Sequence, residues 1–207
     1  MNKSLICAVL LATTAFGQYK VEPAGPPPSD LAPAVKEAVQ KDGAKVVASN
    51  GSVFCEIWLR ATAPAGAKST EQAVSLPTIP HGAMLGVIRF PNQGSERRGS
   101  AIQPGLYTLR YSYYPPDGNH QGVSPQRDFL LIVPAASDTD VNSTPSYKEL
   151  VTMSSKATGT PHPGVLSVWK DTDGHAPGLT QEGEDWVLHA KIGDTPVAII
   201  VVGMFAG

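Results

Sequence analysis

The sequence predicts a mainly β fold, an antiparallel β-sandwich of about eight strands with one or two short peripheral helices. Short apolar runs with a period of two supply the strands, and 20 glycines and 19 prolines among 207 residues supply the turns between them. Helical segments do not alternate with the strands, which disfavours a parallel α/β sheet. The charge balance is close to even, with 16 basic and 18 acidic residues, and no basic run exceeds Arg97-Arg98. Nucleic acid and anionic membrane are therefore not expected as partners.

The chain opens with an export signal. Lys3 precedes an apolar run from Leu5 to Leu11, and Ala15-Phe16-Gly17 provides the small residues that a signal peptidase reads. Residues 1–17 are read as a signal peptide, 18–28 as a Pro-rich leader and 29–207 as a single domain. The expected destination is the periplasm or the exterior, with no transmembrane anchor left after cleavage. Cys7 departs with the signal. Cys55 is then alone, so no intramolecular disulfide supports the fold, and it is expected as a small buried hydrophobe.

Pro26-Pro27-Pro28 predicts an extended tether. Ser29 is placed to cap a helix reaching about Lys41, with Leu31, Val35, Ala38 and Val39 on one face and Gly43 as its stop. From Lys45 to Arg60, two β-rich runs meet at Asn50-Gly51, the signature of a two-residue hairpin loop. That loop places Val46 opposite Cys55 and Lys45 opposite Glu56, with Val53, Cys55, Ile57 and Leu59 sharing an apolar face. Ala61 to Pro80 reads as a long polar connection. Strands follow at Met84–Phe90, Leu106–Tyr114 (half-buried, with Thr108, Arg110 and Ser112 on its polar face), Phe129–Val133 (apolar on both faces), Val165–Trp169, Trp186–Ile192 and Val197–Val202. Tyr147 to Ala157 reads as a helix with Leu150 and Met153 facing inward.

Several of these phrases, Cys55–Arg60, Leu85–Pro91, Pro104–Leu109, Asp117–His120 and Thr158–Pro163, resemble an uncharacterised family of secreted bacterial β-sandwich proteins. The resemblance implies export and a sandwich fold. It brings no activity, ligand or catalytic residue with it.

Two polar loops are candidates for chemistry. Residues 138–149 place oxygen donors Asp138, Asp140, Asn142 and Glu149 at calcium-loop spacing, although Ser143 stands where the sharp turn wants Gly and a strand enters in place of a helix. The competing reading makes Ser146 and Glu149 a capping box and leaves Asp138–Asn142 as a solvated turn. The second loop, 115–128, gathers Asn119, His120, Arg127 and Asp128, and His162 is a further candidate to join them. His120, Asp128 and His162 would suit a metal-dependent hydrolase or isomerase. Tyr111, Tyr113, Tyr114 and Trp58 are candidate stacking platforms, with core packing as their alternative. Asp171-Thr172-Asp173-Gly174 reads as a turn, His189 as exposed, and His81 and His175 as loop residues without partners.

No activated nucleophile stands out: Ser124 lacks the bracketing glycines of a hydrolase elbow. The leading expectation is an exported, non-enzymatic β-sandwich that binds a glycan, an envelope component or a protein. No cofactor is expected, and calcium is the ion that the first loop would take.

Overall fold

The computed structural model of the chain describes residues 18–114 and 126–204. Residues 1–17, Asn119 and His120 lie outside the described residues. The strands are β1 (Tyr19–Gly25), β2 (Gly43–Ala48), β3 (Val53–Leu59), β4 (Met84–Phe90), β5 (Gly94–Ser95), β6 (Ala101–Ile102), β7 (Gly105–Tyr113), β8 (Asp128–Pro134), β9 (Val165–Lys170), β10 (Gly178–Glu182), β11 (Asp185–Ile192) and β12 (Thr195–Val202). Two helices join them, α1 (Pro33–Ala38) and α2 (Tyr147–Thr158).

The fold is mainly β and antiparallel, but it is not an eight-stranded sandwich. Ten strands form one sheet in the order β1-β2-β3-β4-β7-β8-β9-β12-β11-β10, and β5 with β6 makes a small separate ribbon. The edge strands β1 and β10 return against one another with no ladder between them among the described residues. The result is a nearly closed barrel. Register shifts at Val46/Val47, Met84/Gly86 and Trp186/Val187 add local twist, which curls one continuous sheet where a sandwich would need two.

The expected tether at 18–28 is in fact largely strand. Tyr19 and Val21 face inward and alternate with Lys20 and Glu22, a period of two that the neighbouring prolines mask. Pro23 is tolerated because β1 is an edge strand. The sheet therefore includes residues before 29. The first helix is also shorter than expected. Pro33 disfavours helical geometry at Ala32, so α1 starts at the proline and Ser29 does not cap it. Val39 is already extended and bridges to Arg60.

The hairpin keeps its expected pairs, Val46 with Cys55 and Lys45 with Glu56, through a compensated error. The loop has three residues, closed by Gly51 N–H donating to Ala48 C=O at 2.8 Å with Gly51 at φ +83, and an extra residue in β3 then restores the register. This extra residue turns Phe54 toward the interior, while Val53 is only half-buried.

Inside the barrel, Cys55, Ile57, Leu59, Leu109, Leu130, Ile132, Val168 and Ile199 form one apolar core. One end is closed by a chain of edge-to-face rings, Trp186–Tyr19–Phe54–Phe90–Tyr107, with centroids 5.6–6.3 Å apart. Each such pair adds about 0.5–1.5 kcal/mol beyond its burial. The connection 61–83 plugs the other end by inserting Leu76 and Ile79 into the core.

Two stretches of the outer wall are covered by helices. α1 packs Val35 over Trp58, Met84 and Val87, and α2 packs Leu150 over Phe129, Leu131 and Val133. Residues 138–143 cover the polar face of β7, where Thr108 and Arg110 reach Asp138, so β7 is buried on both faces, correcting the half-buried expectation. Arg110, fully buried, donates from Nε and Nη2 to the two oxygens of Asp138 at 2.7 and 2.6 Å and reaches the carbonyls of Gly82, Asp140 and Ser143.

Burial pushes the Cys55 thiol well above its ordinary range. Cys55 should therefore resist a thiol reagent in the native protein and react only on unfolding. Asp138→Asn, which strips a buried guanidinium of its counter-charge, should cost about 3–5 kcal/mol in urea unfolding. The paired replacement Arg110→Met with Asp138→Leu should recover part of that loss.

Candidate functional site

The residues singled out in the sequence are dispersed. Asp128 points into the barrel, where its carboxylate accepts hydrogen bonds from the N–H groups of Ser75 (2.9 Å) and Leu76 (3.3 Å) and from the Tyr111 hydroxyl. It anchors the plug. Arg127 lies over the Tyr113 ring at 5.2 Å and donates to Tyr114 and Gln72 carbonyls and to Glu71. His162 is exposed on the turn after α2, where its carbonyl accepts from the Thr158 hydroxyl.

The calcium-like set divides between two structural tasks. Asp138 is buried against Arg110 and Thr108, so the solvated-turn expectation fails for it. Asp140 accepts from the Asn142 N–H in a local turn. Ser146 and Glu149 form the capping box of α2, whose reciprocal bonds hold the Glu149 carboxyl below its ordinary range. Of the aromatic platforms, Trp58, Tyr111 and Tyr114 are buried.

The site that the structure does assemble lies where the barrel fails to close. A cavity of about 490 Å³ opens between β1, β2 and β3 on one side and β10 and β11 on the other. Val21, Ala44, Ile57, Leu59, Leu188 and Ala190 make its apolar wall, and Glu22, Asp42 and Lys191 its polar rim. Side-chain and loop contacts replace the missing ladder on either side of the opening. The Tyr19–Trp186 ring contact spans one side. On the other, Gln40 Nε2 donates to the Lys191 carbonyl at 2.8 Å and the Gly193 N–H donates to Arg60 C=O at 3.2 Å.

Beside the cavity, on the outer wall, stands a cluster that the sequence reading missed. The Asp171 side chain receives Nδ1 of His189 at 2.8 Å and Nδ1 of His175 at 3.0 Å. The two imidazoles lie 4.1 Å apart. His189 is buried, correcting its expected exposure, and its Nε2 lies 2.8 Å from the Thr180 hydroxyl. Among the described residues, Asp171, His175 and His189 bring ligand-type atoms within 4.8 Å of one another. His81 also has a partner, Ser112 Oγ at 3.0 Å, but Ser112 is fully buried.

Local chain geometry explains the cluster. Asp171 Oδ1 accepts from the Asp173 N–H, and Gly174 takes φ +73, so the turn brings His175 back over Asp171. His189 stands on the same face as Val187, Ala198 and Trp169, all outward. The available signal was Val187, an apolar residue on the face assigned to solvent.

A scan against protein-family models finds no match for this chain, and searches of curated proteins and of solved structures find none either. Function must come from the site itself.

Burial pushes the Asp171 carboxyl up, but bonds to His175, His189 and the Asp173 N–H outweigh it and hold the group below its ordinary 3.8. His175 is held above its ordinary 6.5, chiefly by its bond to Asp171. The stabilisation from His175 is full below pH 6.5 and lost as pH rises through its folded midpoint. That from Asp171 is present above pH 3.8 and lost as pH falls through its own. In chelator-treated protein, NMR titration of His175 should give a midpoint above 6.5. Asp171→Asn should return it to the ordinary range.

Proposed function

We propose that this chain is an exported, non-enzymatic binding protein that takes up a small molecule with an apolar body and an ionic or polar head at the barrel seam. The cavity between β1 and β10 carries this reading. Its volume of about 490 Å³ falls in the range of about 300–1,000 Å³ typical of small-molecule sites, and apolar walls with a few polar groups at the mouth suit an amphipathic guest. A larger barrel has interior space that its own side chains do not fill.

The non-enzymatic part is supported by where the reactive groups are spent. Cys55 and Ser112 are buried, and Asp128 is tied to the plug and Tyr111. The Met1–Gly17 segment supports export. No helix among the described residues is long and apolar enough to cross a membrane. The buried aromatics move the ligand class away from a glycan stacked on exposed rings and toward a guest enclosed by the seam.

Anilinonaphthalene sulfonate, an aromatic body with an anionic head, is a suitable probe. It should bind the native chain with a saturable rise in fluorescence. Ala190→Phe, which places a ring in the cavity, should weaken that binding at least tenfold while leaving the melting temperature within a few degrees. Equal binding by the variant would remove the seam as the site.

A further inference from the structure

The cluster shares His189 with the lining of the seam cavity, but it is argued from its own side-chain contacts and does not rest on the seam as a binding site. We propose that Asp171, His175 and His189 bind one divalent transition-metal ion of the zinc class. Zinc holds imidazole nitrogen and carboxylate oxygen at about 2.0–2.2 Å, which places neighbouring ligands of a tetrahedral ion about 3.3 Å apart. Asp171 already lies 2.8 Å from His189 Nδ1 and 3.0–3.2 Å from His175 Nδ1. Small rotations of the two rings seat an ion among the three groups, which replaces both hydrogen bonds to Asp171; each neutral ring changes from its Nδ1–H to its Nε2–H tautomer, giving up the Nδ1 proton to solvent and taking one from solvent at Nε2. Two imidazoles and one carboxylate match zinc, nickel or copper; calcium and magnesium take oxygen ligands.

The supporting contacts match the needs of a metal site. A ligating His requires its second nitrogen to donate, and Thr180 Oγ1 at 2.8 Å from His189 Nε2 accepts that bond, with Glu182 Oε1 3.7 Å away. In the metal-free chain the Thr180 hydroxyl can instead donate to Nε2 while Nδ1–H bonds Asp171. One side chain therefore serves both tautomers. Asp171 is fixed by the Asp173 N–H. Asp171 and His189 are buried, whereas the His175 side chain is 39% exposed. His175 thus provides the entry side.

The test uses tag-free, chelator-stripped chain titrated with zinc chloride by calorimetry, with the bound metal counted after dialysis. One zinc per chain is expected. His175→Gln, at the exposed ligand, should weaken binding at least tenfold, while its melting temperature in chelator, measured at a pH above the folded His175 midpoint, stays within a few degrees of the native chain's. Thr180→Val should weaken it about tenfold, as loss of an outer hydrogen bond to a metal-binding His does. Cobalt(II) should give the intense visible bands of a four-coordinate site in the native chain and lose them in His175→Gln. Absence of stoichiometric zinc binding, or unchanged affinity in His175→Gln, overturns the proposal. Asp171→Asn and His189→Gln are secondary variants, because both residues are buried and their loss can disturb the wall itself.

Discussion

The organising constraint of this structure is a sheet that curls until its edges meet but does not join them. Pairing β1 with β10 would complete a barrel and remove both exposed edges, which is the usual remedy for unpaired strand groups. Here the closure is made by side chains and loops: Tyr19 against Trp186 on one side of the opening, and Gln40 to Lys191 with Gly193 to Arg60 on the other. The cavity is the interval between these contacts. An edge strand carrying Lys20, Glu22 and Pro23 suits such an opening, since charge and proline discourage another chain from pairing there.

The same economy governs the barrel ends and wall. Ten strands enclose more volume than their inward side chains fill at the rims, so one end takes a chain of five aromatic rings and the other takes Leu76 and Ile79 from a loop. A loop that enters a core must satisfy its backbone polar groups, because each buried N–H left unpaired costs about 1–3 kcal/mol. Asp128 meets that need for Ser75 and Leu76. Arg110 does the corresponding work outside, gathering the carbonyls of Gly82, Asp140 and Ser143 beneath a covering segment. Asp128, Arg110 and Arg127 thus act as clamps for irregular backbone.

That use of charge also explains what could be read from the sequence. Strands marked by short apolar runs, continuous or alternating, are legible to within a residue or two: β4, β8, β9, β11 and β12 lie where their patterns put them. So is the α2 cap, since Ser146 and Glu149 act locally. Alternation establishes which residues share a face, but not what covers it. Arg110, Ser112 and His189 were therefore assigned to water, although loops and neighbouring side chains bury them. Sandwich and barrel were likewise indistinguishable, because they differ in whether the ladder continues from strand to strand, and that is a long-range property. β1 was hidden by the prolines after it, and β10 by its short, polar sequence Gly178–Glu182. Of the candidate site, the histidines and aspartates were visible as residues but not as neighbours, since Asp171 and His189 meet only through the β9–β12–β11 order.

The cavity and the His/Asp cluster share structure as well as proximity. β11 supplies Leu188, Ala190 and His189 to the cavity lining, with the His189 ring held by Asp171 and Thr180, while β10 supplies Gly178 to the rim and Thr180 to His189. β10 is an edge strand paired on one side only, so its position depends on β11 and on the contacts its side chains make. Any ligand that fixes His189, Asp171 and Thr180 together also fixes β10 against the rest of the wall. The width of the seam is set by that same strand. The cavity and the cluster therefore meet at one pair of strands, β10 and β11.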